Sequence, residues 1–446
     1  MTKNAFERAV TDAIAHQRAG RLDAAEAAYR EALEISPGHA VAIHNLGVVT
    51  AAQGNHLSAV GYFDQALAVE PRYASAHYNR GIALAALGKA REAIQSFSRA
   101  CAIEPEHYNA HRALGFLWLA EGERGRSLDH FARTYELRRG EDQTGMAAKS
   151  LLETTHTKLR HDAEQFRYLA AHRQDSPPFE ALARTYEEVT KNIAQQPARL
   201  SEQQREMLGD DYNTGIHVAS APELADGAVA ERADRDDLVR RFKDEKPGAV
   251  YFDDLLTPRA LALLRQYLLE STIWHDFRHI GGFVASYLED GLACPLVLQI
   301  ADELRKAFPE LLGPYPLTQA WAFKAVDADA AVDVHADDAA ISVNFWVTPS
   351  EANLEPGRGG LAVCRVPPPA DWQLEHYDAD QRRIVIFLGQ NAGNTLTVPY
   401  RQNRAVLFES RLFHRSDVPQ FVKTYENHRI NVTLLYGRHA PRAASA

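Results

Sequence analysis

The chain has 446 residues, 46% hydrophobic and 24% charged, with a formal net charge of −10. That length exceeds one ordinary domain, so two or three are expected, each able to bury a full core. The acidic balance argues against a phosphate backbone as a general partner, and no nucleic acid is expected. Cys101, Cys294 and Cys364 lie far apart and form no CxxC pair, which argues against a cysteine zinc site or a disulfide scaffold and fits a reducing compartment. The N-terminus lacks the apolar core of a signal peptide and no run approaches about 18 apolar residues. A cytoplasmic protein that does not engage a membrane is therefore expected.

Residues 1–141 repeat with a fixed period. Gly20, Gly54, Gly88 and Gly122 are each 34 residues apart. The same step links Pro37, Pro71 and Pro105, and it links Gly47, Gly81 and Gly115. It also links Ala25, Ala59 and Ala93, and the aromatic column Tyr29, Phe63, Phe97 and Phe131. In this pattern small residues let two helices approach, an aromatic ring fills the gap, glycine makes the tight turn and proline stops the second helix. The period and residue types resemble the tetratricopeptide repeat, in four copies. Two positions depart from the pattern: Arg80 replaces the usual leucine before the first-helix glycine, and Arg139 stands where the closing proline would fall. The resemblance implies an all-α solenoid with a concave, peptide-binding face. Asn45 and Asn79 share one register, similar to the asparagine ladder by which the O-GlcNAc transferase repeats grip a peptide backbone. The ladder has only these two rungs, because Thr11 and Ala113 fill the flanking copies, so two solvated or capping asparagines are the competing reading.

Residues 142–246 read as a helical connector. A helix is expected over 151–169 and another over 179–194, separated by Pro177-Pro178. Residues 201–246 are polar and charge-dense, with no chemistry of their own. From residue 247 the texture changes. A short strand at 249–252 precedes an amphipathic helix from about 258 to 269, with Thr257 as N-cap and Pro258 at the first position. A second helix is expected over 295–307. Strand-like runs follow at 319–326, 332–335, 341–347, 360–366, 384–388, 395–398, 405–408 and 430–436. Eight short strands after two helices suggest a jelly-roll (double-stranded β-helix) barrel with flanking helices over residues 247–440.

His335-Ala-Asp337, with His414 further on, supplies two imidazoles and one carboxylate on a β scaffold. That set can hold Fe(II) on one face and leave the other positions open. An HxD triplet alone is weak, and a second copy stands at His376-Tyr-Asp378. Context favours the first: His335 and Asp337 share one face of an alternating run that leads into Ile341-Ser-Val-Asn-Phe-Trp-Val347, whereas His376 lies in a polar loop. In the run from Arg429 to Tyr436, Arg429, Asn431 and Thr433 share one face, a polar wall that suits a bound dicarboxylate.

Gly359-Gly-Leu361, Asn403-Arg-Ala-Val-Leu-Phe408, Phe413-His-Arg-Ser-Asp-Val418 and Arg429-Ile-Asn-Val-Thr-Leu434 resemble the late strands of Fe(II)/2-oxoglutarate-dependent oxygenases, closest to the prolyl-hydroxylase-like group. The resemblance implies His335, Asp337 and His414 as iron ligands. It implies 2-oxoglutarate as cosubstrate and O2 as oxidant, with no protein nucleophile beyond the metal centre. A basic residue anchors the distal carboxylate. Arg429 is preferred over Lys423, with Asn431 and Thr433 beside it, and Trp321, Phe323, Asn344 and Trp346 are candidates to line the pocket. The expected protein is a hydroxylase acting on a protein or peptide recruited by the repeats. Two alternatives stay open: a non-catalytic adaptor with a degenerate barrel, and a small-molecule oxygenase.

Overall fold

A computed structural model describes residues 2–140, 152–173, 179–245, 247–278, 282–327, 334–369, 372, 381–418 and 420–438. The chain divides into two compact units, Met1–Trp118 and Leu119–Ala446.

The first unit is built from helix pairs. Thr2–Arg18 is followed by Leu22–Ile35, Ala40–Ala52 by His56–Val69, and Ala74–Ala86 by Ala90–Ile103, before Tyr108–Ala120 carries the chain into the second unit. The turn glycines Gly20, Gly54 and Gly88 have φ of +71°, +83° and +72°, the left-handed region that glycine enters at no steric cost. Gly47 and Gly81 serve close approach instead. A Cβ on Gly47 would stand 2.8 Å from the Phe63 ring, and one on Gly81 would stand 2.7 Å from the Phe97 ring. The departure at Arg80 has a physical role: its guanidinium donates to Asp64 (2.6 Å) and Ser96 (2.7 Å), tying two second helices to the first helix between them.

In the second unit, Arg139 closes the helix Arg124–Arg139 and is buried. It reaches Asp290 through two 2.8 Å bonds, contacts that a proline could not make. The helices His156–His172 and Phe179–Thr190 follow, the first capped by the Thr155 hydroxyl, which accepts from the Lys158 N–H. Phe166, Phe179, Ala183 and Tyr186 form their core, and Leu208 and Tyr212 from the polar stretch join it. Gln165 donates to the Leu269 and Ser271 carbonyls at 3.1 and 2.8 Å. The connector is thereby packed onto the helix Pro258–Glu270, which begins at Thr257 and Pro258 as its sequence implies.

Beyond it stand two antiparallel sheets. After the two-residue strands β1 (Glu153–Thr154) and β2 (Ala198–Arg199), the chain forms β3 (Ala249–Phe252), β4 (Phe283–Tyr287), β5 (Leu317–Ala325) and β6 (Ile341–Trp346). β7 (Leu361–Cys364), β8 (Thr395–Val398), β9 (Ala405–Glu409), β10 (His414–Ser416) and β11 (Ile430–Tyr436) complete the set. The larger sheet runs β3-β9-β6-β11-β5-β4, and the smaller runs β10-β7-β8. They face each other through Ala249, Trp346, Val406 and Phe408 on one side and Leu361, Val363 and Val398 on the other. The opposite face of the larger sheet is covered by helices; the Tyr436 hydroxyl donates to Ala301 of the helix Pro295–Ala307 at 2.8 Å.

Some sequence expectations change. Residues 384–388 are not a strand but lie in the helix Gln381–Gln390. The β-branched run Ile-Val-Ile reads as extended, yet Ile384, Phe387 and Leu388 fall at helical spacing and pack beside Phe413. The strands β4 and β10 escape sequence reading because Phe283–Tyr287 and His414–Ser416 are short. Of the run 332–335, residues 332 and 333 lie outside the described residues, as does the competing pair His376 and Asp378. His335 itself pairs with His414 in an isolated antiparallel bridge.

Candidate metal centre

His335, Asp337 and His414 are the one group of metal-ligating side chains that comes together among the described residues, their ligand atoms all within 4.8 Å of one another. The backbone sets this meeting. The His335 N–H donates to the His414 carbonyl at 3.1 Å, and the His414 N–H returns a 2.9 Å bond. The Asp337 N–H donates to the Ser410 carbonyl at 2.9 Å. Asp337 Oδ1 lies 3.6 Å from His335 Nε2, and its Oδ2 lies 3.5 Å from His414 Nε2. His335 is half-buried, whereas Asp337 and His414 are buried.

Tautomer and charge are prepared for a cation. The Leu412 carbonyl, 3.0 Å from His414 Nδ1, accepts its proton and leaves the Nε2 lone pair facing the other two ligands. Burial pushes the His414 ring down to about 4, and the neighbouring His335 adds to the shift. The ring is therefore neutral near pH 7, as a ligand must be. Ser342 Oγ donates to Asp337 Oδ2 at 2.6 Å, and it lies 2.8 Å from Ser410 Oγ. Sequence reading missed both serines. The signal was Ser342 at an inward position of β6, two residues before Asn344.

Pairing register extends the site across the larger sheet. Asn344 opposes Thr433 and Trp346 opposes Asn431, so these side chains share the face that carries Ser342. Asn344 Nδ2 donates to Thr433 Oγ1 at 3.1 Å. Arg429 is buried just before β11, its guanidinium 5.8 Å from the Trp346 ring centroid and 3.3 Å from the Gly360 carbonyl. Burial lowers its pKa to about 10. Arg429 Nε, Trp346 Nε1 and Asn344 Oδ1 are buried with no hydrogen-bond partner. Buried polar atoms are normally satisfied, so the two orphaned donors, Arg429 Nε and Trp346 Nε1, fit an anionic ligand on this face. Lys423 is exposed, and His428 is buried with Nε2 2.7 Å from Glu164.

In the first unit Asn45 and Asn79 are half-buried and converge on His44. Asn79 Nδ2 donates to His44 Nε2 at 2.8 Å, and His44 Nδ1 lies 3.0 Å from Asn45 Oδ1. Val41 and Ile82, one helical turn from the asparagines, are 42% and 43% exposed, so each rung is flanked by an open aliphatic side chain.

Two tetratricopeptide-repeat family models match the chain, over residues 9–70 and 44–107. The N-terminal helix pairs are tetratricopeptide repeats. Solved structures similar over this part include MamA from Desulfovibrio magneticus RS-1, with 24% identity over 31% of this chain and 78% of that one and a TM-score of 0.30. A mutant O-GlcNAc transferase from Thermobaculum terrenum is 29% identical over 30% of this chain and 27% of that one, TM-score 0.28. The first repeat domain of Spaghetti bound to an HSP90 peptide is 22% identical over 27% of this chain and 94% of that one, TM-score 0.26. No curated protein matches. Among the described residues no helix is long and apolar enough to cross a membrane.

Proposed function

We propose that the second unit is an Fe(II)- and 2-oxoglutarate-dependent dioxygenase on a jelly-roll scaffold, and that the repeats recruit its protein or peptide substrate. The observation that carries this reading is the convergence of His335, Asp337 and His414 within 4.8 Å, on the sheet face that ends in a buried arginine with an unpartnered Nε. The donor set fits a metal held on one side by two imidazoles and a carboxylate. Arg429, backed by Trp346, holds the far carboxylate of the cosubstrate, with Asn431 and Thr433 on the same wall. Ser342 occupies Asp337 Oδ2 and leaves Oδ1 as the carboxylate oxygen that would bind a metal. Arg429, Asn431 and Thr433 are buried, which keeps water from this wall. Bound there with 2-oxoglutarate, Fe(II) would activate O2, the oxidant, one oxygen atom going to the C–H bond as hydroxyl and the other to succinate as carbon dioxide leaves. The repeats raise the local concentration of a bound polypeptide, with Val41 and Ile82 as apolar contacts beside Asn45 and Asn79.

A second reading, an adaptor with a non-catalytic barrel, is favoured by the fact that both family matches fall on the repeats. One assay separates the two. The protein is purified anaerobically and loaded with Fe(II), and conversion of 2-oxoglutarate to succinate is followed. The dioxygenase reading expects turnover that His335→Ala and His414→Ala abolish. It also expects Arg429→Lys to raise the 2-oxoglutarate requirement more than Lys423→Ala does. Wild-type turnover no higher than that of the variants, with no Fe(II) retained, leaves the adaptor.

A further inference from the structure

We propose that the half of the larger sheet beyond the reach of the smaller one is a binding site for an arginine side chain of a polypeptide. The smaller sheet faces the larger through β3, β9 and β6. On β5 the burial pattern alternates. Ala320, Ala322 and Lys324 are fully buried on the helix-covered side, while Gln319, Trp321 and Phe323 on the other side are only half-buried. Register assigns that open side to the metal-bearing face. Trp321 opposes Thr433 and Phe323 opposes Asn431, the two residues that stand opposite Asn344 and Trp346. At a strand spacing of about 4.8 Å, Trp321 lies roughly 10 Å across the sheet from Asn344.

The half-buried side chains form an aromatic shelf. The Trp321 and Phe323 rings are stacked at 29° with centroids 6.0 Å apart, and Tyr287 meets Trp321 edge-on at 6.3 Å. Carboxylates border it. Asp276 pairs with Ala285 in an antiparallel bridge, which puts its side chain on the same face, and the Tyr287 hydroxyl hydrogen-bonds to it. Glu289 accepts from Gln319 at 3.1 Å.

A broad π surface edged by acids selects a cation, and the chain's net charge of −10 attracts one. Aromatic faces beside carboxylates favour guanidinium over ammonium, because guanidinium is planar, stacks on rings, pairs with carboxylates and is less strongly hydrated. The meaning of the site, a grip on the substrate close to the reacting atom, rests on the dioxygenase reading. The binding itself does not require the metal.

The test uses the full chain, without metal, and isothermal titration of two probes. N-acetyl-arginine methylamide carries the cation, and N-acetyl-citrulline methylamide has nearly the same shape without charge. The arginine probe is expected to bind about tenfold more tightly. Trp321→Ala and Asp276→Asn should each remove most of that preference, Trp321→Phe should keep most of it, and His335→Ala should leave it unchanged. Near-UV circular dichroism checks that each variant is folded. Equal binding of the two probes by the wild type, or a preference that survives Trp321→Ala in a folded protein, overturns the proposal. A failure of the dioxygenase reading looks different: no Fe(II)-dependent succinate, with the arginine preference intact.

Discussion

Replacing Arg139 by methionine removes one half of a buried ion pair and leaves the other half behind. Both side chains are almost fully enclosed, at 2% and 3% exposure, and the guanidinium meets Asp290 through two 2.8 Å bonds. Burial alone would raise the Asp290 carboxyl, but the Arg139 charge and hydrogen bonds outweigh it and hold the group well below the usual carboxylate range. Its folded pKa is depressed, so the pair stabilises the fold fully above the unfolded carboxylate value of about 3.9 and loses that contribution only as pH falls further. At neutral pH an unpaired buried carboxylate costs about 3–5 kcal/mol. Arg138, at 3.8 Å from the same carboxylate and 37% exposed, compensates in part, which places the loss near the lower end. A loss of about 3 kcal/mol corresponds to a melting shift of roughly 6 °C for a large unit. The assay is differential scanning calorimetry of the full chain at pH 7.5, read on the transition of the second unit. The double variant Arg139→Met with Asp290→Leu should recover much of the loss, because no charge is left stranded. A single variant that melts within a degree of wild type, or a double variant no better than the single one, refutes the reasoning.

Three further outcomes follow from the packing. Gly81→Ala drives a Cβ to 2.7 Å from the Phe97 ring and should cost about 1–3 kcal/mol; Phe97→Leu in the same chain should relieve part of it, measured by helical circular dichroism on heating. Ser342→Ala frees an Asp337 oxygen that now accepts a 2.6 Å bond, and should weaken Co(II) binding, read by its visible absorption, by about 10–100-fold while leaving the melting curve little changed. His161 and His275 are buried neutral, their pKa values pushed well below 6.5 by burial first and then by nearby cations. Below pH 6.5 the unfolded chain takes up protons that the folded one refuses, so stability should fall by up to about 1.4 kcal/mol per pH unit for each ring. Melting of His275→Gln should depend less on pH between 6.5 and 5.5, and a flat wild-type profile would rule this out.

Periodicity carried the first unit, because each repeat is a local structure whose glycines, alanines and rings recur at one spacing. The turn glycines and the packing of Phe63 against Gly47 could be named before any fold was known. Long, alternating strands such as β6 and β11 were equally legible, and their register aligned Arg429, Asn431 and Thr433. Short elements were not. β10 has three residues, and its pairing with β7 comes from a segment some 50 residues earlier in the chain. The helix Gln381–Gln390 was hidden by β-branched composition, because propensity yields to the packing of Ile384 and Phe387 beside Phe413. Ser410 and the Leu412 carbonyl support the centre through contacts that no spacing in the sequence encodes.

The two-way backbone bridge between His335 and His414 also fixes a topology. The intervening chain leaves and returns at one clamped base, so its two ends are held in register. Loop closure grows costly only slowly with length, and the helix Gln381–Gln390 sits within this span as an insertion between β7 and β8. The stretch between β7 and β8 can therefore lengthen, shrink or change its surface without moving either histidine, while β6 and β9 hold the core of the larger sheet. Evolution is free to rewrite the surroundings of the centre while the ligand geometry stays anchored at its root.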